Sequence, residues 1–246
     1  MNAPKLALRL LAAAALVATS APVFAQAPAP ATEKFFLNAN VGGNLAKRTL
    51  STVATATVYE EPARLDATYP IGSGVLFDFG TGYRVFGDVY VGVTVAMFSK
   101  TGDATTLSDV PDPVLFDRPR LDIAGAATGL KRSELSIIPQ VMFVRALTDK
   151  VDLTAGVGPT FVRLKQDVIS SFTVANRTQN VTPVTSTESA NGTGIAVSVD
   201  LTYALTSRLG FGGFARFAPA KVDLAAAGEK VNVAGMQAGA GIRLRF

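Results

Sequence analysis

Val89-Tyr90-Val91-Gly92-Val93-Thr94-Val95-Ala96-Met97 decides the fold. Every second residue is Val or Met, and those between are small, polar or aromatic. Successive side chains of a strand point to opposite faces, so this stretch builds one apolar face and one mixed face. The period recurs downstream. Val151, Leu153, Ala155, Val157, Pro159 and Phe161 alternate with Asp152, Thr154, Gly156, Gly158 and Thr160. Ile195, Val197, Val199, Leu201, Tyr203 and Leu205 alternate with Ala196, Ser198, Asp200, Thr202 and Ala204. A period of two held over about ten residues suits a tilted transmembrane strand. A soluble antiparallel sandwich with one wet face uses the same period, so the strands alone leave both open.

The connections separate the two. Three are short: Gly82 to Gly87, Leu147 to Val151, and Leu205 to Leu209, the last two sharing the form Leu-Thr-Asp/Ser-Lys/Arg. Between them lie polar stretches at Ala46 to Ile71, Ser99 to Lys131, Lys165 to Asn191 and Pro219 to Lys230. Short periplasmic turns alternating with long outer loops are the habit of outer-membrane barrels, and a sandwich has no reason to sort its loops this way. The expectation is an all-β, antiparallel, up-and-down transmembrane β-barrel of eight strands, over 35–45, 72–82, 87–98, 132–146, 151–164, 192–205, 209–218 and 232–246. Leu50 to Tyr59 has strand propensity without clear alternation and is expected to stand above the membrane as a hairpin extension. Its insertion beside a partner from 63–72 would make ten strands.

Composition narrows the chemistry. Of 246 residues 48% are hydrophobic and 17% charged, with Gly 22, and mean hydropathy is +0.31. His and Cys are both zero, which removes disulfides, thiolate nucleophiles, Cys-based metal sites and every imidazole mechanism. The expectation is that the chain is not an enzyme and holds no cofactor or metal. Asp109 and Asp112 lack the spacing of a calcium loop, and Ser99 and Lys100 point to opposite strand faces.

Lys5 and Arg9 precede the apolar run Leu10 to Ala18, and Ser20 to Ala25 ends on the small Ala25 at a cleavage position, with Val23 two places before it. Residues 1–25 are expected to be a secretory signal, 26–34 a Pro/Ala-rich leader and 35–246 the barrel. Losing Lys5 and Arg9 lowers the net charge from +4 to +2, which removes the support for a nucleic-acid partner. The expected location is the cell outer membrane.

Strand parity turns Asp78, Glu134, Gln140, Asp200, Arg216 and Arg243 inward. An eight-stranded lumen is about wide enough for side chains to fill. Buried charges there have to pair, and Asp200 or Glu134 with Arg216 or Arg243 satisfies that need as a stabilising plug or as a gate. In the second polar stretch Phe116, Asp117, Arg118 and Arg120 form an expected surface contact, the arginines suiting lipopolysaccharide phosphates.

At the C-terminus Ala234, Met236, Ala238, Ala240, Ile242, Leu244 and Phe246 make an apolar face, opposite Gln237, Gly239, Arg243 and Arg245. Gly239-Ala240-Gly241-Ile242-Arg243-Leu244-Arg245-Phe246 resembles the insertion signal that the barrel-assembly machinery reads, with Ile242, Leu244 and Phe246 on its lipid face. Over roughly 35–246 the chain resembles small outer-membrane barrels of the OmpA-domain and OmpW kind. It looks most like a group of uncharacterised outer-membrane β-barrel proteins that share the stretch Pro113 to Arg120. The resemblance implies the barrel-assembly machinery, outer-membrane lipid and lipopolysaccharide as partners. It implies an envelope role at the surface, or, through the OmpW likeness, narrow passage of small apolar or ionic solutes.

Overall fold

The computed structural model describes residues 34–112, 120–175, 180–228 and 230–246. The expected signal and nearly all of the leader lie outside them. Ten strands run through the described residues: β1 (Phe35–Asn44), β2 (Arg48–Val58), β3 (Glu61–Ile71), β4 (Val75–Phe86), β5 (Val89–Pro111), β6 (Arg120–Thr148), β7 (Val151–Val174), β8 (Val181–Ala204), β9 (Leu209–Asp223) and β10 (Lys230–Arg245). Eight of them, β1 and β4 to β10, pair antiparallel in a closed ring, with β1 joined to both β4 and β10. The terminal residue completes the closure. Phe246 donates to the Phe35 carbonyl (2.8 Å) and accepts from Lys34 N–H (2.8 Å), and the Phe35 and Phe246 ring centroids are 6.1 Å apart.

The shared Leu-Thr-Asp/Ser-Lys/Arg turns have a local cause. The Thr148 hydroxyl accepts from the N–H groups of Lys150 and Val151, and Thr206 does the same for Arg208 and Leu209. A hydroxyl that stands in for the missing ladder partner makes such turns compact.

The outer connections differ from irregular loops. β5 continues to Pro111, β6 starts at Arg120, and β7 and β8 have 24 residues each. A membrane strand needs about 9–11 residues, so more than half of each lies beyond the hydrocarbon. The polar stretches are rich in Thr, Ser and Val, which favour strands, and outside the bilayer an outward face need not be apolar. The wall therefore carries on as polar β-sheet into the exterior.

The hairpin of β2 and β3 accounts for both strand counts weighed from sequence. It pairs from Arg48↔Ile71 to Val58↔Glu61, turning through Tyr59 and Glu60, both at positive φ as a two-residue type I′ turn requires. β5 serves two partners in turn: Val75↔Ser99 through Phe86↔Val89 with β4, then Arg64↔Asp109 through Thr68↔Thr105 with β3. The hairpin is an addition to an eight-stranded ring. Its clear alternation, not legible beforehand, puts Leu50, Thr52 and Ala54 inward, and β2 lies against β7.

Two zones fill the interior. Outside the membrane Leu50, Leu65, Tyr69, Leu164, Val168, Phe172 and Val222 belong to one apolar core. Tyr69 locks it, its hydroxyl accepting from Ile169 N–H (2.8 Å) and from Thr52 (3.3 Å). Across the membrane-spanning half the pattern inverts. Val41, Phe79, Val91, Val141, Phe161, Ile195 and Phe211 are exposed on the outer face, Ile195 by 65%, while polar side chains fill the inside. Val93 sits on that outer face. Val93→Cys is expected to react with lipid-soluble maleimides in folded vesicles and to resist membrane-impermeant ones, the reverse of an inward Thr94→Cys.

Candidate functional site

The inward polar residues of the spanning half form one connected network. On β4, Asp78 accepts from Asn40 Nδ2 (2.8 Å) and pairs with Arg216 Nη2. Arg216, on β9, also donates from Nε to Gln237 (3.0 Å) and lies 5.0 Å over the Phe214 ring. On β10, Arg243 grips Asp200 with Nε (3.2 Å) and Nη2, and gives Nη1 to Asn40 Oδ1. Asp200 accepts a further bond from Thr202 (2.9 Å). Asn40 therefore spans both pairs, donating to one acid and accepting from the other cation. Gln140 bonds Thr94 (2.9 Å) and Ser198 (3.3 Å) beside the network, and Asp152 pairs with Arg245 toward the periplasmic mouth.

This meets the expected pairing in part. Arg243 takes Asp200 as expected, whereas Arg216 takes Asp78 and Glu134 takes neither arginine. Register explains the correction: Glu134 faces Leu164 and then Ala190, whereas Arg216 faces Ser198, eight residues further along β8. Glu134 belongs to a second, outer cluster. Its Oε1 accepts from Arg132 Nε (2.8 Å) and its Oε2 from Ala234 N–H (2.8 Å), while Arg132 Nη1 reaches Gln166 (3.0 Å). Arg48 adjoins the cluster and donates to the Asn232 carbonyl (2.8 Å). Burial lowers the proton affinity of Arg48 from its ordinary value, with Glu134 opposing the shift and Arg132 adding to it.

Ala234 departs from the outward apolar face assigned to it. It has φ +54°, is fully buried, and with Gly235 at φ +103° turns its N–H in toward Glu134. Sequence reasoning missed Asn40, Arg132 and Gln237 as members of these networks, although parity signalled each. Asn40 alternates with apolar Val41 and Ala39, and Arg132 shares a face with Glu134. Ile242 and Phe246 lie exposed on the lipid side with Leu244 partly covered. Phe116, Asp117 and Arg118 lie outside the described residues, as does the Arg120 side chain.

The spaces beside this network in the spanning half are small. A cavity of about 40 Å³ touches Asn40, Asp78, Gln140 and Arg216, and another of about 30 Å³ lies between Tyr90, Asp152, Asp200 and Arg245. Such volumes hold a few waters at most. A closed eight-stranded ring, apolar along most of its outward belt and ion-paired within, matches a bilayer on one side and itself on the other.

The chain is a small transmembrane β-barrel. No protein-family model and no curated protein matches it. Several solved structures are similar to it. Neisserial surface protein A (NspA) is 14% identical, covering 86% of this chain and 97% of its own at a TM-score of 0.43. Ail, the attachment invasion locus protein of Yersinia pestis, is 13% identical, with coverages of 86% and 99% and a TM-score of 0.38. The outer membrane protease OmpT of Escherichia coli is 8% identical, with coverages of 87% and 97% and a TM-score of 0.43. The likeness is to outer-membrane barrels at large and does not single out the OmpA or OmpW kind. One expectation is overturned: with a protease among these structures, the barrel architecture does not exclude an enzyme, and the absence of His removes imidazole mechanisms alone.

Proposed function

We propose that this barrel is a sealed envelope protein that acts through the β-wall it raises beyond the outer membrane. The carrying observation is the double filling of the lumen: a charge-paired polar network in the spanning half, and in the outer half an apolar core that the β2–β3 hairpin builds together with the surrounding wall. Opening a path requires separating buried charges in the first zone and unpacking the second, and each step is costly on its own. Passage is not what such an interior favours. The outward wall of β5 to β9, with polar side chains and long paired arms, is the surface left to meet partners. In this reading residues 1–25 direct export, and the barrel-assembly machinery reads Ile242, Leu244 and Phe246.

The test is conductance. Protein refolded into a planar bilayer, with folding verified by the heat-dependent gel mobility of closed barrels, is expected to stay silent. Discrete steps that change on Arg216→Gln would overturn the sealed reading in favour of narrow solute passage.

A further inference from the structure

Cations gather at one height on one side of the wall, where the apolar belt ends. On β7 the exposed Phe161 is followed on the same face by Arg163 and Lys165. On β9 the exposed Phe217 leads, on the same face, through Pro219 to Lys221, and on β6 Leu135 leads through Ser133 to Lys131. Register sets them side by side. Leu135, Arg163 and Asn191 form one rung, Ser133, Lys165 and Ser189 the next, and Phe161, Thr193 and Lys221 the rung below. All four cations are exposed and none has an ion-pair partner among the described residues. Exposed Ser133, Ser189, Asn191 and Thr193 lie between them as hydrogen-bonding groups.

The cluster is local in both directions. Around the ring, the β5 face at this height carries Ser99, Thr101 and Asp103 in place of cations. Along the strands the sign reverses two residues further out. Asp167 follows Lys165, and its oxygens accept from Lys131 N–H (2.9 Å) and Thr187 (2.6 Å). Asp223 follows Lys221 and lies 3.9 Å from Lys230. The result is a narrow basic row with apolar side chains directly beneath it and acids above.

We propose that this row docks the phosphate-bearing headgroup of an outer-leaflet lipid, held by Arg163, Lys165 and Lys221 with Lys131 at the margin, while its acyl chains lie on Leu135, Phe161, Ile195 and Phe217. The stacking of cation over apolar surface matches an amphiphile: Arg and Lys meet phosphate oxygens, and the belt below meets hydrocarbon. The inference rests on the outer-membrane placement and is independent of whether the lumen conducts.

The test uses the folded protein in phosphatidylcholine nanodiscs carrying a trace of spin-labelled phosphatidic acid or spin-labelled phosphatidylcholine, comparing the immobilised fractions. Phosphatidic acid is expected to be preferred, with roughly a fivefold loss for each cation neutralised. The triple variant R163Q/K165Q/K221Q should level the two lipids, and Lys47→Gln, outside the row, should leave the preference intact. Raising the salt should release phosphatidic acid from the wild-type protein and leave phosphatidylcholine unaffected, a readout needing no variant. A wild-type protein without preference overturns the proposal, as does a folded triple variant that retains it. So does retention of a sulfated polysaccharide by the same residues with no lipid preference.

Discussion

Replacing Arg243 by Ala is expected to cost the folded barrel about 3–5 kcal/mol, the usual penalty for stranding one member of a buried ion pair. The guanidinium is fully enclosed, pairs with Asp200 and donates to Asn40. Without it Asp200 keeps a hydrogen bond from Thr202 alone, and Asn40, which also serves Asp78, loses the bond that ties the two pairs together. Urea unfolding of protein in detergent micelles, followed by the heat-modifiable band, reads the loss. Arg243→Lys keeps the charge but cannot reach both Asp200 and Asn40 with one rigid fork, so its cost should be intermediate. The double variant Asp200→Asn with Arg243→Gln should recover much of the stability, because the penalty lies in the uncompensated charge and not in the missing atoms. A loss below about 1 kcal/mol for Arg243→Ala would show that water already solvates the network.

Gly158→Val is expected to be more damaging and to abolish the heat-modifiable folded species. A Cβ at Gly158 would lie 1.9 Å from the Pro139 carbonyl oxygen and 2.8 Å from the Gln140 Cα, so it meets backbone, which cannot rotate away. The place is also a break in the wall. The β6–β7 ladder stops at Val141↔Val157 and resumes at Ile137↔Phe161, across Pro139 and Pro159, which have no N–H to give. Ordinary overpacking costs about 1–3 kcal/mol because side chains shift, and here none can. Gly102→Ala supplies the contrast: its added carbon would meet only Lys100 Cε, at 3.5 Å, and should be tolerated. Equal folded yields from the two variants would refute the steric argument.

Much of this could be read from the chain before any coordinates. The alternation from Val89 to Met97 assigns the lipid face residue by residue, because a strand has only two faces and a bilayer accepts only one kind of side chain. For the same reason parity placed Asp78, Asp200, Arg216 and Arg243 inside. Parity says which wall a side chain points from and nothing about its height within the barrel. The partner of Glu134 was therefore misjudged, and Arg132, two residues away on the same face, was passed over. The outer half was the least legible. Leu50 to Tyr59 alternates Leu, Thr and Ala inward against Ser, Val and Thr outward, a contrast too weak in hydropathy to show a buried face.

The sequence by itself determined an eight-stranded membrane barrel, its polar interior and its three short turns, since each follows from a local period or a local hydrogen bond. Only the tertiary structure decided which acid meets which arginine, that the β2–β3 hairpin fills the outer lumen, and that Ala234 turns its N–H to Glu134. It alone set Arg163, Lys165 and Lys221 in one row. Those facts depend on register between strands distant in sequence, and register is an outcome of the closed ring as a whole.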